Sequence, residues 1–408
     1  MTSRREFDVV IIGGGLAGAT LALALARVTQ RIAVIEAVSM QAPEQPSYDD
    51  RGLVLTLSSQ RILQNLHLWE ALYEQVNPVL HIHVSDQHHF GFTRLHASDL
   101  ELPALGYVVI ARALGKILLE KIRQTKNIEW ICPATTRSLE INHEHAVINL
   151  EQDGALTEIH AKLLVAADGA GSRVSELLGV EQSFKNYRQT AIVSNVTPER
   201  PHQNTAYERF SADGPLALLP MTQQRCAVVF TVKSEQAAGI MTLTDEEFLQ
   251  KLNARFGLRL GRFTRCGKRK HYPLVQSIAA EQVRERLVVM GNAAHTIHPN
   301  GAQGFNLCLR DIAGLVEILD PVLTTGKDPG QRRLLNRYVD LRLPDQQRVI
   351  TFTDILANTF YNNLPHKMFI RNVAMSMFDI CPPLKKSFIQ RMTGLSGHQP
   401  DMVRSTHS

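Results

Sequence analysis

The residues of this chain whose types and spacing most clearly imply chemistry are Gly13, Gly15 and Gly18, in the run Gly13-Gly14-Gly15-Leu16-Ala17-Gly18. This G-x-G-x-x-G follows an apolar, strand-like run at 7–12 and opens an Ala/Leu-rich stretch at 16–28, the context that a dinucleotide-binding turn requires. Gly13 permits the tight turn. Gly15, followed by Leu16 and Ala17, lets the backbone approach a pyrophosphate, and Gly18 lets helix and strand close on each other. The start of the helix supplies N–H groups and the positive end of its dipole to the phosphates. Glu36 closes a second strand-like run at 31–36, eighteen residues after Gly18. A carboxylate there accepts hydrogen bonds from ribose hydroxyls and repels a 2′-phosphate, which favours the adenosine of FAD or NAD over that of NADP. These residues leave both dinucleotides open.

Two later segments carry a family resemblance. One is Ala167-Asp168-Gly169-Ala170-Gly171-Ser172-Arg173-Val174, where a strand end followed by glycines again permits close backbone approach. The other is the stretch Gly291-Asn292-Ala293-Ala294-His295-Thr296-Ile297-His298-Pro299-Asn300-Gly301-Ala302-Gln303-Gly304-Phe305-Asn306. With these motifs the chain, from about residue 7 to 348, resembles the aromatic-hydroxylase group of single-component FAD monooxygenases. The resemblance implies FAD as the bound cofactor. It implies that Asp168 approaches the pyrophosphate, that residue 292 meets the ribityl chain, and that Pro299 and Gly301–Asn306 lie along the pyrimidine side of the flavin. A helix start there would stabilise negative charge on reduced flavin. Arg51, in Tyr48-Asp49-Asp50-Arg51-Gly52, and Arg112, which opens a helix after Val108-Val109-Ile110, match cofactor-contacting arginines of the family.

The match departs from the family pattern twice. Asn292 stands where most members have Asp; it keeps a carbonyl acceptor for a ribityl hydroxyl and is similar to the ubiquinone-pathway hydroxylases that act at ring position C1. Gly301-Ala302 reverses the usual Ala-Gly order. His83-Val84-Ser85-Asp86, Glu208-Arg209-Phe210 and the run from Gly214 to Met221 are similar to that group's substrate domain. The implied function is hydroxylation of a polyprenylated phenol, at C1 of 2-polyprenyl-6-methoxyphenol, with NAD(P)H as reductant, O2 as oxidant and a C4a-hydroperoxyflavin as the oxygen donor. Other readings are attack at C5 or C6 of the same ring, a flavin reductase or halogenase, and a non-catalytic flavin-binding scaffold of a lipid-quinone complex. The halogenase reading is weakened because Trp69 and Trp130 are far apart. The flavin carries the chemistry, so no side-chain acid or base is required. His295 and His298 adjoin the flavin segment and are candidates either for proton movement or for structural hydrogen bonding.

The elements expected to position these groups are a βαβ unit at the start, helical stretches at 58–76, 112–126, 304–324 and 331–358, and strand-like runs at 128–133, 138–150, 157–166 and 286–290. Thr244 and Glu247 match a capping box that opens a short helix at 245–256. The expected fold class is α/β: a Rossmann-like FAD-binding domain, discontinuous over 1–76, 106–181 and 276–340, a mostly antiparallel substrate domain over 77–105 and 182–275, and a helical C-terminal region over 341–408.

Composition fits an enzyme of ordinary globular character, with 44% hydrophobic and 20% charged residues in 408. Residues 331–408 hold eleven Lys/Arg and five Asp/Glu, so this tail balances at +6 and the remainder at −1. A basic stripe across the nucleotide site is absent, which argues against nucleic acid as a partner. The tail mixes Phe360, Met368, Phe369, Met375, Met377, Phe378 and Ile389 with Lys367, Arg371, Lys385, Lys386 and Arg391. It reads either as a contact with an anionic membrane or a partner protein, or as a solvated helical lid. The five cysteines, Cys132, Cys226, Cys266, Cys308 and Cys381, form no CxxC pair and read as free thiols in a reducing compartment. His81, His83, His88, His89 and His96 lack an Asp/Glu/Cys frame, so no metal is expected. The glycine turn lies too near the N-terminus for a cleaved signal peptide, and no apolar run reaches the roughly 18 residues of a membrane span. A cytoplasmic protein, peripherally membrane-associated if the tail docks, is the expectation.

Overall fold

The computed structural model describes residues 5–39, 49–361 and 365–404. Tyr48 and most of the loop expected at 38–50 lie outside the described residues, as do the side chains of Phe360 and Lys367.

The first sheet is built on four parallel pairings, in the order Leu287–Val289, Ala155–Ala166, Arg5–Ile12, Ile32–Ile35, Ile128–Ile131. The sequence Val-Val-Ile-Ile at 9–12 is uninterrupted by polar residues because both faces of this strand are covered. Val9 and Ile11 pack with the helix Leu16–Leu25 and with Leu309, Ile312 and Leu315 of the helix Gly304–Leu323. Val10 and Ile12 pack on the other side with Ile148, Ile159 and Leu164. Val9, Val10 and Ile11 have no exposed surface, and each such side chain contributes about 1.5–3 kcal/mol of burial. The strands Thr135–Ile141 and Ala146–Gln152 extend this sheet as an antiparallel flap on Ala155–Ala166.

The second sheet has nine strands and is antiparallel except where Thr205–Phe210 runs parallel to His81–Asp86. Its residues alternate cleanly between two environments. Ile192, Leu216, Leu218, Val228 and Phe230 face the helices Ser234–Met241 and Asp245–Phe256. Val193, Ala217, Leu219, Ala227 and Val229 line a cavity on the opposite side. The capping box at Thr244 and Glu247 is present, with both reciprocal hydrogen bonds formed. A three-stranded sheet, Gly52–Leu55, Gly106–Ile110 and Asn77–Val79, joins the two.

The architecture is therefore the mixed α/β one expected from sequence, with a mostly antiparallel second sheet and a helical C-terminal region. A single helix, Arg332–Tyr361, runs across position 340, and Pro365–Asp379 and Pro382–Met392 follow it. The described part of the basic tail is thus divided into three α-helices, all of which contribute to the cavity wall.

Candidate active site

The glycine turn and the Asp168 segment meet at a distance that only glycine allows. Gly13 has φ +104°, and a Cβ on it would stand 2.4 Å from the carbonyl oxygen of Ala167 and 2.6 Å from Cα of Asp168. A Cβ on Gly18 would stand 1.9 Å from the carbonyl oxygen of Gly13. The helix Leu16–Leu25 starts at Gly15 with no side-chain cap, and Gly304–Leu323 starts at Gln303 with none. Gly15, Leu16 and Ala17 line the same cavity as Gly301, Ala302, Gly304 and Phe305. Two helix starts thus open into one space, and each offers backbone N–H groups to an anion or to polar ring atoms.

The carboxylate of Glu36 accepts from Gly14 N–H (2.7 Å) and Val38 N–H (2.8 Å), so it is fixed beside the glycine turn with acceptor capacity remaining. The carboxylate of Asp168 accepts from Val174 N–H (3.1 Å). Its Oδ1 is buried without a hydrogen-bond partner. Burial raises its pKa; the donors at Ser172 and Val174 only partly offset this. Arg51 donates to Asp49 (2.8 Å) and lies 5.1 Å from the ring centroid of Tyr272, whose hydroxyl donates to the same carboxylate (2.8 Å). Arg112 forms an ion pair with Asp50. These groups, apart from Glu36 and Asp168, line the cavity, together with Asn292, His298 and Pro299.

Gln303 and Asn306 do not reach the cavity. Gln303 donates to the carbonyls of Gly301 (3.2 Å) and Met392 (3.4 Å), tying the motif to the last helix. Asn306 is fully buried. It accepts from Thr56 N–H (2.8 Å) and Ser59 Oγ–H (2.7 Å), and donates to the carbonyls of Val54 (2.7 Å) and Ala302 (2.8 Å). The reversed Gly301-Ala302 pair has a visible backbone consequence. Both residues adopt positive φ, +71° and +51°, so a Cβ-bearing residue occupies the left-handed region at Ala302.

The two histidines differ. His295 bonds Asp311 (2.8 Å), which bonds Arg342 (2.8 Å) in a buried cluster completed by Asp345 and Arg310. Burial alone would raise the Asp311 pKa, but Arg342 and His295 outweigh it and hold it below the usual carboxylate range. His298 lines the cavity and packs edge-on against Tyr187, with ring centroids 4.7 Å apart. Its Nδ1 accepts from Asn300 N–H (3.3 Å), and its Nε2 is buried without a partner. Burial lowers its pKa to about 4. The ring is therefore neutral near pH 7, and the Asn300 contact places its proton on Nε2, making it a donor.

Cavity residues that motif reading did not select come from the second sheet and the tail. They include Tyr272, Arg371, Met375 and Phe378. Arg371 is held by Asp86, which also accepts from Asn372 (2.9 Å). Of the histidines between 81 and 96, His81 and His96 meet at 2.8 Å and His83 stacks on Phe92, while His88 and His89 are exposed. Among the described residues no group of three His, Cys, Asp or Glu is placed to hold a metal ion, and no helix is long and apolar enough to cross a membrane.

The cavity measures about 2110 Å³, whereas pockets for one drug-sized ligand run about 300–1,000 Å³. It is continuous from the glycine turn to the apolar face of the second sheet. A dinucleotide and a second molecule fit such a space, and the glycine cradle and the two uncapped helix starts that open into it fit a dinucleotide such as FAD. Fold and site together define an FAD-dependent monooxygenase of the aromatic-hydroxylase type. Residues 6–353 match the family described as "FAD binding domain", and the chain belongs to that family. Among its relatives are the ubiquinone hydroxylase UbiL of Rhodospirillum rubrum, 35% identical over 97% of this chain and 92% of the relative, and the 3-demethoxyubiquinol 3-hydroxylase of Escherichia coli, 28% identical over 95% and 98%. The crystal structure of p-nitrophenol 4-monooxygenase PnpA from Pseudomonas putida superposes with a TM-score of 0.80 at 17% identity, covering 96% of this chain and all of that one, which shows the shared fold.

Proposed function

We propose that this protein hydroxylates the aromatic ring of a polyprenylated phenol in ubiquinone biosynthesis, at C1 of 2-polyprenyl-6-methoxyphenol, with NAD(P)H as reductant and O2 as oxidant. The observation that carries this reading is the single cavity joining a dinucleotide cradle to an apolar sheet face. Val84, Leu95, Ala217, Leu219, Ala227 and Val229 on that face suit a hydrocarbon chain and exclude water. The names of UbiL and of the Escherichia coli enzyme support the pathway, and Asn292 supports the ring position.

In this reading FAD is held by Gly13, Gly15, Leu16, Ala17 and Gly18 at the pyrophosphate, with Glu36 at the ribose and Asp168 at the phosphate side. Arg51, Arg112, Asn292 and Pro299 contact its flavin half, with Gly301, Ala302, Gly304 and Phe305 along the ring. Gln303 and Asn306 hold that loop in place. Bound there, the flavin supplies the redox and oxygen chemistry; the protein positions the ring, keeps the chamber dry and donates hydrogen bonds. Product analysis after complementing strains that each lack one ring hydroxylase tests the position. Restoration of the C1 step alone is expected, and restoration of the C5 or C6 step instead overturns the assignment.

The tail supplies the approach to lipid. Phe369, Ile370, Met377, Ile380 and Leu384 are exposed, and Phe90 packs beside Phe369 at 6.3 Å. With Lys386 nearby, this surface suits an anionic bilayer. Truncation would also remove cavity wall, so substitution is the cleaner test. Phe369→Glu with Ile380→Glu should abolish flotation with anionic vesicles while FAD content is unchanged. Unaltered flotation would count against membrane docking.

A further inference from the structure

One carboxylate stands alone inside the substrate half of the cavity. Glu208 lies in the strand Thr205–Phe210, between Val84 of the parallel neighbour and Ala217 of the antiparallel one. The registers continue the row across the sheet as Thr93, Val84, Glu208, Ala217, Val229, Val193 and Lys270. Every member of that row lines the cavity. The flanking positions on the same face of its own strand are Ala206 and Phe210.

The Glu208 carboxylate makes no hydrogen bond or ion pair with a described residue. The acids on the surrounding elements have partners of their own, whereas Arg209 and Arg225 each keep a buried Nε without one, and Arg225, Arg265 and Lys268 line the same cavity. Asp86 is held by Arg371 and Asn372, Asp354 by Lys185 and Tyr187, and Asp379 by Arg94 and Lys385. Tyr207 and Arg209 alternate with Glu208 and pair with Leu218 and Leu216, which face the opposite side of the sheet. The ring of Tyr207 packs on Phe256. Lys270 stands four strands away along the row. Desolvation therefore acts on Glu208 without a counter-charge and raises its pKa to about 7. An apolar wall that carries one unpartnered acid bears a cost that only a ligand would offset.

We infer that Glu208 is the acceptor for the substrate's phenolic hydroxyl, orienting the ring and taking the O–H proton as oxygen is transferred to it. This inference rests on the proposed reading of the substrate as a phenol and of O2 as the oxidant. The O–H bond breaks toward the Glu208 carboxylate while the ring carbon gains a hydroxyl from dioxygen; its O–O bond breaks, and the second oxygen leaves as water with the two electrons that NAD(P)H supplies. The hydrogen on that carbon then leaves as a proton to restore aromaticity. Glu208 returns its own proton to the phenol oxygen and ends ionised, as it began. A carboxylate whose pKa is near neutrality suits a reversible transfer of this kind. It also selects for neutral phenols, since an aromatic carboxylate would meet a like charge.

The test uses the full-length FAD-loaded protein, a short-chain 2-prenyl-6-methoxyphenol and its methyl ether, which lacks the O–H. Glu208→Gln should bind FAD like the parent. It should form hydroxylated product at least about 100-fold more slowly and divert NAD(P)H consumption to H2O2. The parent's product rate should rise with pH through about 7, and the variant's should be flat there. Glu208→Asp should recover part of the rate and the pH response. In binding, the parent should favour the phenol over the ether about tenfold or more, and Glu208→Gln should not. If Glu208→Gln keeps the parent's coupling and pH profile, the assignment is wrong. If the parent hydroxylates no polyprenylated phenol, the proposed function fails instead; the phenol-to-ether ratio still decides the role of Glu208, because it needs no turnover.

Discussion

Replacing Asn306 with alanine should remove about 3 kcal/mol of stability and release FAD. The Thr56 N–H loses its acceptor at a position without solvent, and an unsatisfied buried donor costs about 1–3 kcal/mol. Ser59 retains Thr56 Oγ at 3.1 Å as an alternative, so its loss is smaller. The carbonyls of Val54 and Ala302 each lose one donor, and the vacated volume adds a further fraction of a kcal/mol. Asn306→Asp is the sharper variant. It keeps both acceptor contacts but turns an N–H2 that faces two carbonyls into an oxygen, and it buries a charge. Asp should therefore cost at least as much as Ala despite its closer shape. Trp69 and Trp130 are the chain's two tryptophans and both pack in the core around the helix Leu16–Leu25, so urea unfolding followed by their fluorescence reads this region. With a slope of about 3 kcal/mol per M, a midpoint shift of about 1 M is expected. Flavin fluorescence gives the FAD affinity in parallel. A wild-type midpoint for Asn306→Asp at pH 7, or a loss under about 1 kcal/mol for Ala, would refute the clamp.

Three further outcomes follow from the geometry. Ala302→Gly should stabilise the protein by about 0.5–1 kcal/mol, since relief of left-handed strain at φ +51° exceeds the entropy added to the unfolded chain; a drop in melting temperature would contradict this. Gly13→Ala should yield a protein without FAD, because its Cβ would overlap the Ala167 carbonyl at 2.4 Å; absorbance at the flavin band checks it. Asp311→Asn should cost about 1–3 kcal/mol, because Arg342 loses one of its two carboxylate partners and keeps Asp345. The Asp311 and Asp345 carboxyls are held below their unfolded values. Their contribution is complete above about pH 4 and lost as pH falls through the folded values, so the parent's acid unfolding should be steeper than the variant's.

Much of the nucleotide half was legible from spacing. A strand, a glycine turn, a helix and an acid at a second strand end leave few alternatives, and the Thr244 capping box declared its helix. The role of Asn306 was not legible. Its motif position suggests the flavin, whereas its four partners include backbone and side-chain groups about 250 residues earlier in the chain. Glu208 was legible only as part of a family-like tripeptide. Nothing in an alternating strand tells which face meets a helix and which meets a cavity, and that difference separates Glu208 from Arg209. The same ambiguity hid the tail's contribution. An amphipathic helix shows an apolar stripe, but the stripe does not say whether lipid, solvent or a substrate chamber lies against it.

The wall supplied by Arg371, Met375, Phe378, Met392 and Thr393 has a consequence for biosynthesis of the protein. Every segment of the glycine cradle and its later partners has been translated by residue 306, 87 residues before Thr393, the last residue of that wall. At roughly 5–20 residues per second, that stretch takes roughly 4–17 s. Throughout that interval the nascent chain can assemble a flavin cradle that has no far wall. A flavin reduced in such an open vessel spends its electrons on water-borne oxygen, so the order of the sequence makes synthesis and docking of the helices up to Thr393 the condition for coupling. A ribosome that stalls in the last helices releases a source of peroxide in place of a hydroxylase.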